Sequence, residues 1–261
     1  LTSVPGVNML VRQQYSRAVD DLNRVALDEV LEPIGQQLAR NVRPGREAIQ
    51  SAHDAISDAY EQVVPYLRAD WSPHVVSTEL GRIRARVPQD LQHRFDDAVD
   101  RYLGRATNPM NGAIAGRDIQ NALAGLSRDA RGYATNPNSL PHDRDLGEAL
   151  GDVREMLISN IETHSPQDTW VAFRNTQRAF DRLVRVEAAA SSTASKQGVF
   201  GPAQLQQAVR TSDRSARKNR FARGTATLQN ISDDAAGVMQ RNLADSGSPE
   251  RIGIMSALTY G

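Results

Sequence analysis

Apolar residues recur every three or four positions between proline and glycine breaks along this chain, and that spacing constrains the fold more than any other feature. The stretch Gly198–Gly247 illustrates it. Pro202 stands where a first helical residue is expected, since its missing N–H would be unpaired there in any case. Leu205, Ala208 and Val209 follow at helical spacing. Strand-like alternation with β-branched enrichment is not found beyond short fragments, so the pattern predicts an all-α protein.

Seven helices are predicted upstream of that stretch from the same start and stop signals. Their apolar positions run through Tyr15–Val30, Ile49–Val63, Val76–Val87, Leu91–Tyr102, Ile119–Tyr133, Leu146–Ile161 and Trp170–Ala188. Hydrophobic residues are only 39% of the chain and aromatic residues 5%, which indicates a thin core with one buried stripe per helix. Short connections favour antiparallel neighbours. We therefore expect an elongated multi-helix bundle or stacked antiparallel helical hairpins.

A second helix is predicted within Gly198–Gly247, after the break at Thr211-Ser212-Asp213, which supplies a capping side chain. Its apolar side is predicted to carry Phe221, Leu228, Ile231, Ala235, Val238 and Met239. A basic cluster lies between the apolar stripes and comprises Arg210, Arg214, Arg217, Lys218, Arg220 and Arg223.

The basic cluster stands out because the whole chain is balanced, with 31 basic and 31 acidic residues. One interpretation is contact with DNA phosphates or with an acidic partner, which would make binding strongly salt-dependent. The other is a solvated helix face that pairs with acids of neighbouring helices or subunits. No aromatic residue apart from Phe221 lies among these cations, so sequence-specific recognition is not expected.

Catalytic and cofactor motifs are not found in the sequence. The chain has no cysteine, and its five histidines show no i, i+4 pair or HExxH motif. No phosphate-binding loop, GxGxxG or GxSxG pattern occurs. Adjacent acidic pairs such as Asp96-Asp97 point in different directions on a helix. We expect no metal, no cofactor and no enzymatic activity.

Composition shifts predict four segments. These are an N-terminal helical bundle over residues 1–105, middle helical hairpins over 106–190, a basic helical segment over 191–247, and the start of a small-residue helix over 248–261. The chain does not begin with Met and ends on RIGIMSALTYG, which favours a piece of a longer protein. A Gly/Ala-rich, membrane-active continuation beyond residue 261 is one expectation for the tail; a short surface helix is the alternative.

Self-association is predicted from the thin core. Amphipathic helices with so few apolar residues leave some stripes to be completed by another subunit. The residues expected at such a contact are Trp170, Phe173 and Phe180.

Several segments resemble, in the same order, large virion proteins of tailed bacteriophages: the internal virion, DNA-transfer or ejection (pilot) proteins. The segments are FGPAQLQQAV, SxRKxxFARG, LQNISDDAAGVM and DSG within the final stretch, and Arg17–Gln36, Gly45–Pro65, Asp145–Leu150 and Ala189–Phe200 upstream. The likeness covers most of the chain and is a pattern of helical segments, not a catalytic signature.

The resemblance implies a homo-oligomeric virion protein that assists genome delivery through the host cell envelope. It implies a place in the capsid interior or the portal and tail region, and then in the envelope on infection. Its partners would be portal, tail or other ejection proteins, with nonspecific DNA as a further contact. Two alternatives are kept: a non-enzymatic bacterial helical adaptor or secreted scaffold, and a cell-wall hydrolase whose catalytic part is missing.

Overall fold

The computed structural model describes residues 5–135, 141–193, 195, 197–213 and 218–245, with side chains described in 13–133, 143–193, 195, 197–213 and 218–238. Ten α-helices lie in these ranges: α1 (Pro5–Leu31), α2 (Arg46–Val63), α3 (Pro73–Ala85), α4 (Gln92–Val99), α5 (Arg117–Thr135), α6 (Pro141–His164), α7 (Gln167–Ala190), α8 (Pro202–Ser212), α9 (Asn219–Ala222) and α10 (Gln229–Asp245). Three short 3-10 segments, Glu32–Ile34, Val64–Tyr66 and Gln89–Leu91, and a π-helical turn, Asp100–Gly104, adjoin them. The prediction of an all-α protein is confirmed.

Proline and glycine set most helix ends, as predicted. Pro73 and Pro202 each occupy the first helical residue of their helices. Gly35 follows the 3-10 turn after α1 in the left-handed conformation, with φ 70°, which glycine adopts without a Cβ penalty. These ends depend on residues close in sequence, which is why local pattern was sufficient to place them.

A two-stranded antiparallel sheet corrects the expectation that the chain has no strand. The strand β1 (Arg68–Asp70) pairs with β2 (Ala113–Ala115), and Ala69 lies opposite Ile114. Each strand has three residues, which is too short for an alternating pattern to be recognised in the sequence.

Side chains from α6 and the residue that follows it cap the outer edge of β1. The Asn160 amide accepts a hydrogen bond from the backbone N–H of Asp70 (2.7 Å) and donates one to its carbonyl (2.9 Å). The hydroxyl of Ser165 accepts from the N–H of Arg68 (3.0 Å) and donates to its carbonyl (3.1 Å). Two side chains thus satisfy the backbone groups that a third strand would otherwise take.

The described structure groups into two compact units, and the four segments predicted from composition stay a prediction. A central unit comprises Tyr60–Arg174, and a terminal unit combines Leu1–Ala59 with Asn175–Gly261. The boundaries fall inside α2 and α7, not at the predicted loop near residue 106 or in the Ser191–Gly198 linker. Local composition marks loops, but a unit is defined by contacts between residues far apart in sequence.

The core of the central unit collects one apolar stripe from each helix around α6. The largest fully buried side chains there include Leu67, Ile83, Phe95, Leu103, Ile114, Ile119, Leu126 and Leu146. Trp170 and Phe173 belong to the same core. This matches the expectation of one buried stripe per helix.

The terminal unit buries stripes from α1, α2, α7, α8 and the start of α10. The buried residues include Leu27, Val30, Ala52, Ile56, Leu183, Val186, Leu205, Val209 and Ile231. Arg182 on α7 forms ion pairs with Glu29 (3.2 Å) and Glu32 (2.9 Å). These contacts join the beginning of the chain to its last third.

Candidate functional site

The residues leading into α8 are fixed to α1 by one buried amide. Asn23 is 1% exposed, and its side-chain nitrogen donates to the carbonyl of Phe200 (2.7 Å). Its side-chain oxygen accepts from the N–H of Phe200 (3.2 Å). Gly201 follows, and its N–H donates to the side chain of Gln204 (2.9 Å), which closes the N-terminus of α8. The start of the candidate segment is therefore part of the folded terminal unit.

Lys218 and Asp213 organise the connection after α8. The ammonium group of Lys218 donates to the backbone carbonyls of Thr211 (3.1 Å) and Asp213 (2.6 Å), where it neutralises the carbonyl end of the helix. The buried carboxylate of Asp213 accepts from the N–H of Phe221 (2.9 Å), a residue in α9. Asp213 does cap a helix, as predicted, but from eight residues away.

The single helix predicted from Asp213 to Met239 is wrong, because the structure interrupts it. The short helix α9 ends before Gly224, which has φ 73°, and α10 begins after Leu228, which has φ 66°. Lys218 also has a positive φ, 57°. The left-handed conformation costs a residue with a side chain roughly 1–2 kcal/mol. The interruption is therefore locally unfavourable at two non-glycine positions.

The cations of the predicted cluster have different environments. Arg210, Arg220 and Arg223 are exposed. Lys218 is exposed as well, but its ammonium group is engaged with the end of α8. Arg214 and Arg217 lie outside the described residues. The contact role predicted for the exposed arginines stays a prediction, while Lys218 has a structural role that the sequence did not indicate.

Acidic and amide side chains lie on the same helices, α8 and α10. Asp233 and Asp234 are exposed on α10, and the side chain of Gln206 on α8 donates to Asp233 (3.1 Å). The exposed charged residues of α8 to α10, here called the α8–α10 surface, thus include cations (Arg210, Arg220, Arg223) and anions (Asp233, Asp234).

Trp170 and Phe173, two of the three residues predicted for subunit packing, are 4% and 1% exposed. The Phe173 ring packs edge-on against Tyr60 at a centroid distance of 6.3 Å, and Arg174 lies over the Trp170 ring at 5.3 Å. Both aromatic side chains are already buried by their own chain, which leaves Phe180 to carry the prediction. Phe180 is 43% exposed on α7, one turn from Val184, which is 42% exposed.

One polar cluster in the central unit was not anticipated. The hydroxyl of Ser72 donates to Asp70 (2.6 Å), and His74 Nε2 lies 3.4 Å from the same hydroxyl. Hydrogen bonds from Ser72 hold the pKa of Asp70 below its ordinary value, with smaller contributions from His164 and His74. In a catalytic triad the histidine would lie between serine and carboxylate. Here the serine binds the carboxylate directly, so the cluster shapes the turn before α3.

Two further features of the described residues bear on a site: a cleft and the placement of possible metal ligands. A cleft of about 540 Å³ in the terminal unit is lined partly by Arg46, Ser192, Thr193 and Gln197. The N–H of Arg46 donates to the carbonyl of Gln197 (3.0 Å), so this contact belongs to the start of α2. In the described residues, no group of three or more His, Cys, Asp or Glu side chains is arranged to hold a metal ion.

The comparisons do not place the chain in a known group: no family model, no curated protein and no solved structure matches it. Among the helices whose residues are described, none has both the length and the apolar character needed to cross a bilayer. The small-residue helix predicted to start within residues 248–261 lies outside the described residues, and the membrane-active continuation beyond residue 261 stays a prediction.

Proposed function

We propose that this chain is a structural protein of a tailed-bacteriophage virion, of the internal or ejection type. It assists genome delivery through the host cell envelope by oligomeric helical assembly and has no enzymatic activity. The protein is carried in the capsid interior or near the portal and tail, and it acts in the envelope on infection. Its partners are further copies of itself, portal, tail or other ejection proteins, and the DNA that passes them.

The observation that carries this proposal is where the resembling segments lie. Arg17–Gln36, most of Gly45–Pro65 and the stretch from Ala189 onward are distant in sequence but belong to the same terminal unit. Asn23 is bound to Phe200, and Arg46 is bound to Gln197. These segments hold one another in place, whereas Asp145–Leu150 lies in the central unit. Mutual contact among most of the segments supports a resemblance between folded units over a resemblance in composition.

The exposed arginines suit the proposed role. DNA in transit needs contacts that do not depend on base sequence, and phosphate pairing by Arg210, Arg220 and Arg223 would supply them. A few cations per subunit, diluted by Asp233 and Asp234, would guide a moving polyanion without retaining it.

Quantitative mass spectrometry of purified particles, produced from the genome that encodes the chain, tests this function. We expect its peptides in full particles at a constant ratio to the major capsid protein, and a strong loss of them from particles whose DNA has been released. The capsid protein, which stays in the shell, is the internal control. Presence in infected cells but absence from particles would overturn the proposal and favour the adaptor alternative.

A further inference from the structure

The interruption between α9 and α10 runs against the apolar pattern of the same residues. Two series with seven-residue spacing pass through it without a change of register: Phe221, Leu228 and Ala235, and Gly224, Ile231 and Val238. Such spacing is typical of one continuous amphipathic helix. The sequence is therefore compatible with a helix from Asn219 to Asp245, although the structure shows two.

The backbone shows where the interruption is least favourable. Leu228 is 3% exposed and has φ 66°, a conformation that leucine rarely adopts. Gly224 has φ 73°, and a Cβ added there would meet no atom within 4 Å. The space around Gly224 thus allows a side chain, and only its backbone conformation requires glycine.

The side chain of Gln229 adds two hydrogen bonds to backbone groups at the interruption. The Gln229 side chain accepts from the N–H of Ala226 (3.3 Å) and donates to the carbonyl of Phe221 (3.0 Å). In a continuous helix the N–H of Ala226 would bond to the carbonyl four residues earlier, and the carbonyl of Phe221 would accept from Thr225. Each of the two bonds made by Gln229 therefore has a backbone replacement.

We propose that Lys218–Leu228 is a two-state element that interconverts between the interrupted form and a continuous helix that extends α10 back to Asn219. Conflict between a local pattern and the observed fold is a mark of such elements. In the continuous form, Arg220 and Arg223 move as part of α10. The buried side chain of Ile231 keeps its place, because α10 itself is unchanged.

A distance measurement between two spin labels reports the switch directly. The chain has no cysteine, so Asn219→Cys with Asp234→Cys gives two unique labelling sites, and both residues are exposed. A continuous helix separates their Cα atoms by about 22 Å, at 1.5 Å per residue. We expect this population beside the one that corresponds to the interrupted form.

A matched pair of substitutions should move the two populations in opposite directions. Gly224→Ala disfavours the left-handed conformation and favours helix, so it should raise the ratio of continuous to interrupted form at least about tenfold. Ala226→Gly, two residues away, should lower that ratio about fivefold, because glycine weakens a helix interior. Equal distance distributions in the two variants would overturn the proposal.

A second substitution keeps the proposal testable if Gly224→Ala prevents folding. Gln229→Leu removes both bonds that hold the interruption and keeps a good helix former. It should also enlarge the population with the separation of about 22 Å that a continuous helix gives. If Gly224→Ala unfolds the terminal unit and Gln229→Leu retains only the interrupted distance, the two-state element does not exist.

Discussion

At the scale of single residues, Gly125 and Gly132 on α5 look alike in sequence but differ in their surroundings. A Cβ at Gly125 would clash with the ring of Tyr102, whereas a Cβ at Gly132 would meet nothing within 4 Å. The hydroxyl of Tyr102 donates to Asp129 (2.9 Å). Burial of the phenol and this hydrogen bond raise the pKa of Tyr102. The hydrogen bond to Asp129 thus holds the ring of Tyr102 in the position where it excludes a side chain at Gly125.

We expect Gly125→Ala to lower the free energy of unfolding by about 1–3 kcal/mol, because the added methyl group must displace a hydrogen-bonded ring. Gly132→Ala on the same helix should leave it unchanged or raise it by up to about 1 kcal/mol through helix propensity. Urea unfolding followed by circular dichroism measures both. Equal changes in the two variants would show that Tyr102 moves aside without loss.

At the scale of elements, helices were predictable because their signals are local. Pro73 and Pro202 mark first turns, and apolar residues repeat with the helical period. The β1–β2 pair was missed because its register depends on contacts between residues 68–70 and 113–115. Its outer edge depends on Asn160 and Ser165, about ninety residues later in the chain. No window of ordinary length contains all of these residues.

The capped edge gives a prediction for the element as a whole. Asn160→Ala should lower the free energy of unfolding by about 1–2 kcal/mol, because the backbone N–H and carbonyl of Asp70 lose their partner. Ser159→Ala, at the exposed neighbouring position on α6, should change it by less than about 0.5 kcal/mol. Chemical denaturation compares the two. A loss of equal size in Ser159→Ala would trace the effect to α6 and not to the edge of β1.

At the scale of the whole molecule, basic and acidic residues are equal in number. Binding of DNA can therefore be traced to the local basic cluster by changing its arginines. Arg210→Gln with Arg223→Gln should weaken retention on DNA at low salt. It should flatten the slope of log affinity against log salt by up to about 2, near 0.9 per phosphate contact. Stability should hardly change, because exposed charges contribute little to it. Retention is measured by elution from immobilised duplex DNA over a series of salt concentrations.

A double variant with the same change in charge is the control. Arg40→Gln with Arg43→Gln removes two exposed cations outside the cluster. If this pair weakens DNA retention as much as Arg210→Gln with Arg223→Gln does, net charge and not the α8–α10 surface is responsible. Unchanged retention in the Arg210 and Arg223 variant would reject the DNA contact itself.

The basic cluster also shows how far a site can be predicted from sequence. Charge and spacing identified Arg210, Arg220 and Arg223, and the structure leaves them exposed. The same reasoning placed Lys218 among them, although its ammonium group binds carbonyls at the end of α8. A lysine that binds a helix end and a lysine that binds a partner have the same sequence signature. Only the local chain path, set by the left-handed conformation of Lys218, distinguishes the two roles.

The two-unit arrangement has a consequence for how the protein is made. The central unit is one uninterrupted stretch, so all of its residues have been synthesised once Arg174 has been added. The terminal unit folds later, because Asn23 binds Phe200, which is translated 177 residues after it. Domains generally fold as units during synthesis, and long-range closure slows folding. The residues of α1 are therefore translated before the central unit but reach their final partners after it, and the nascent chain has to keep α1 from wrong associations during that interval.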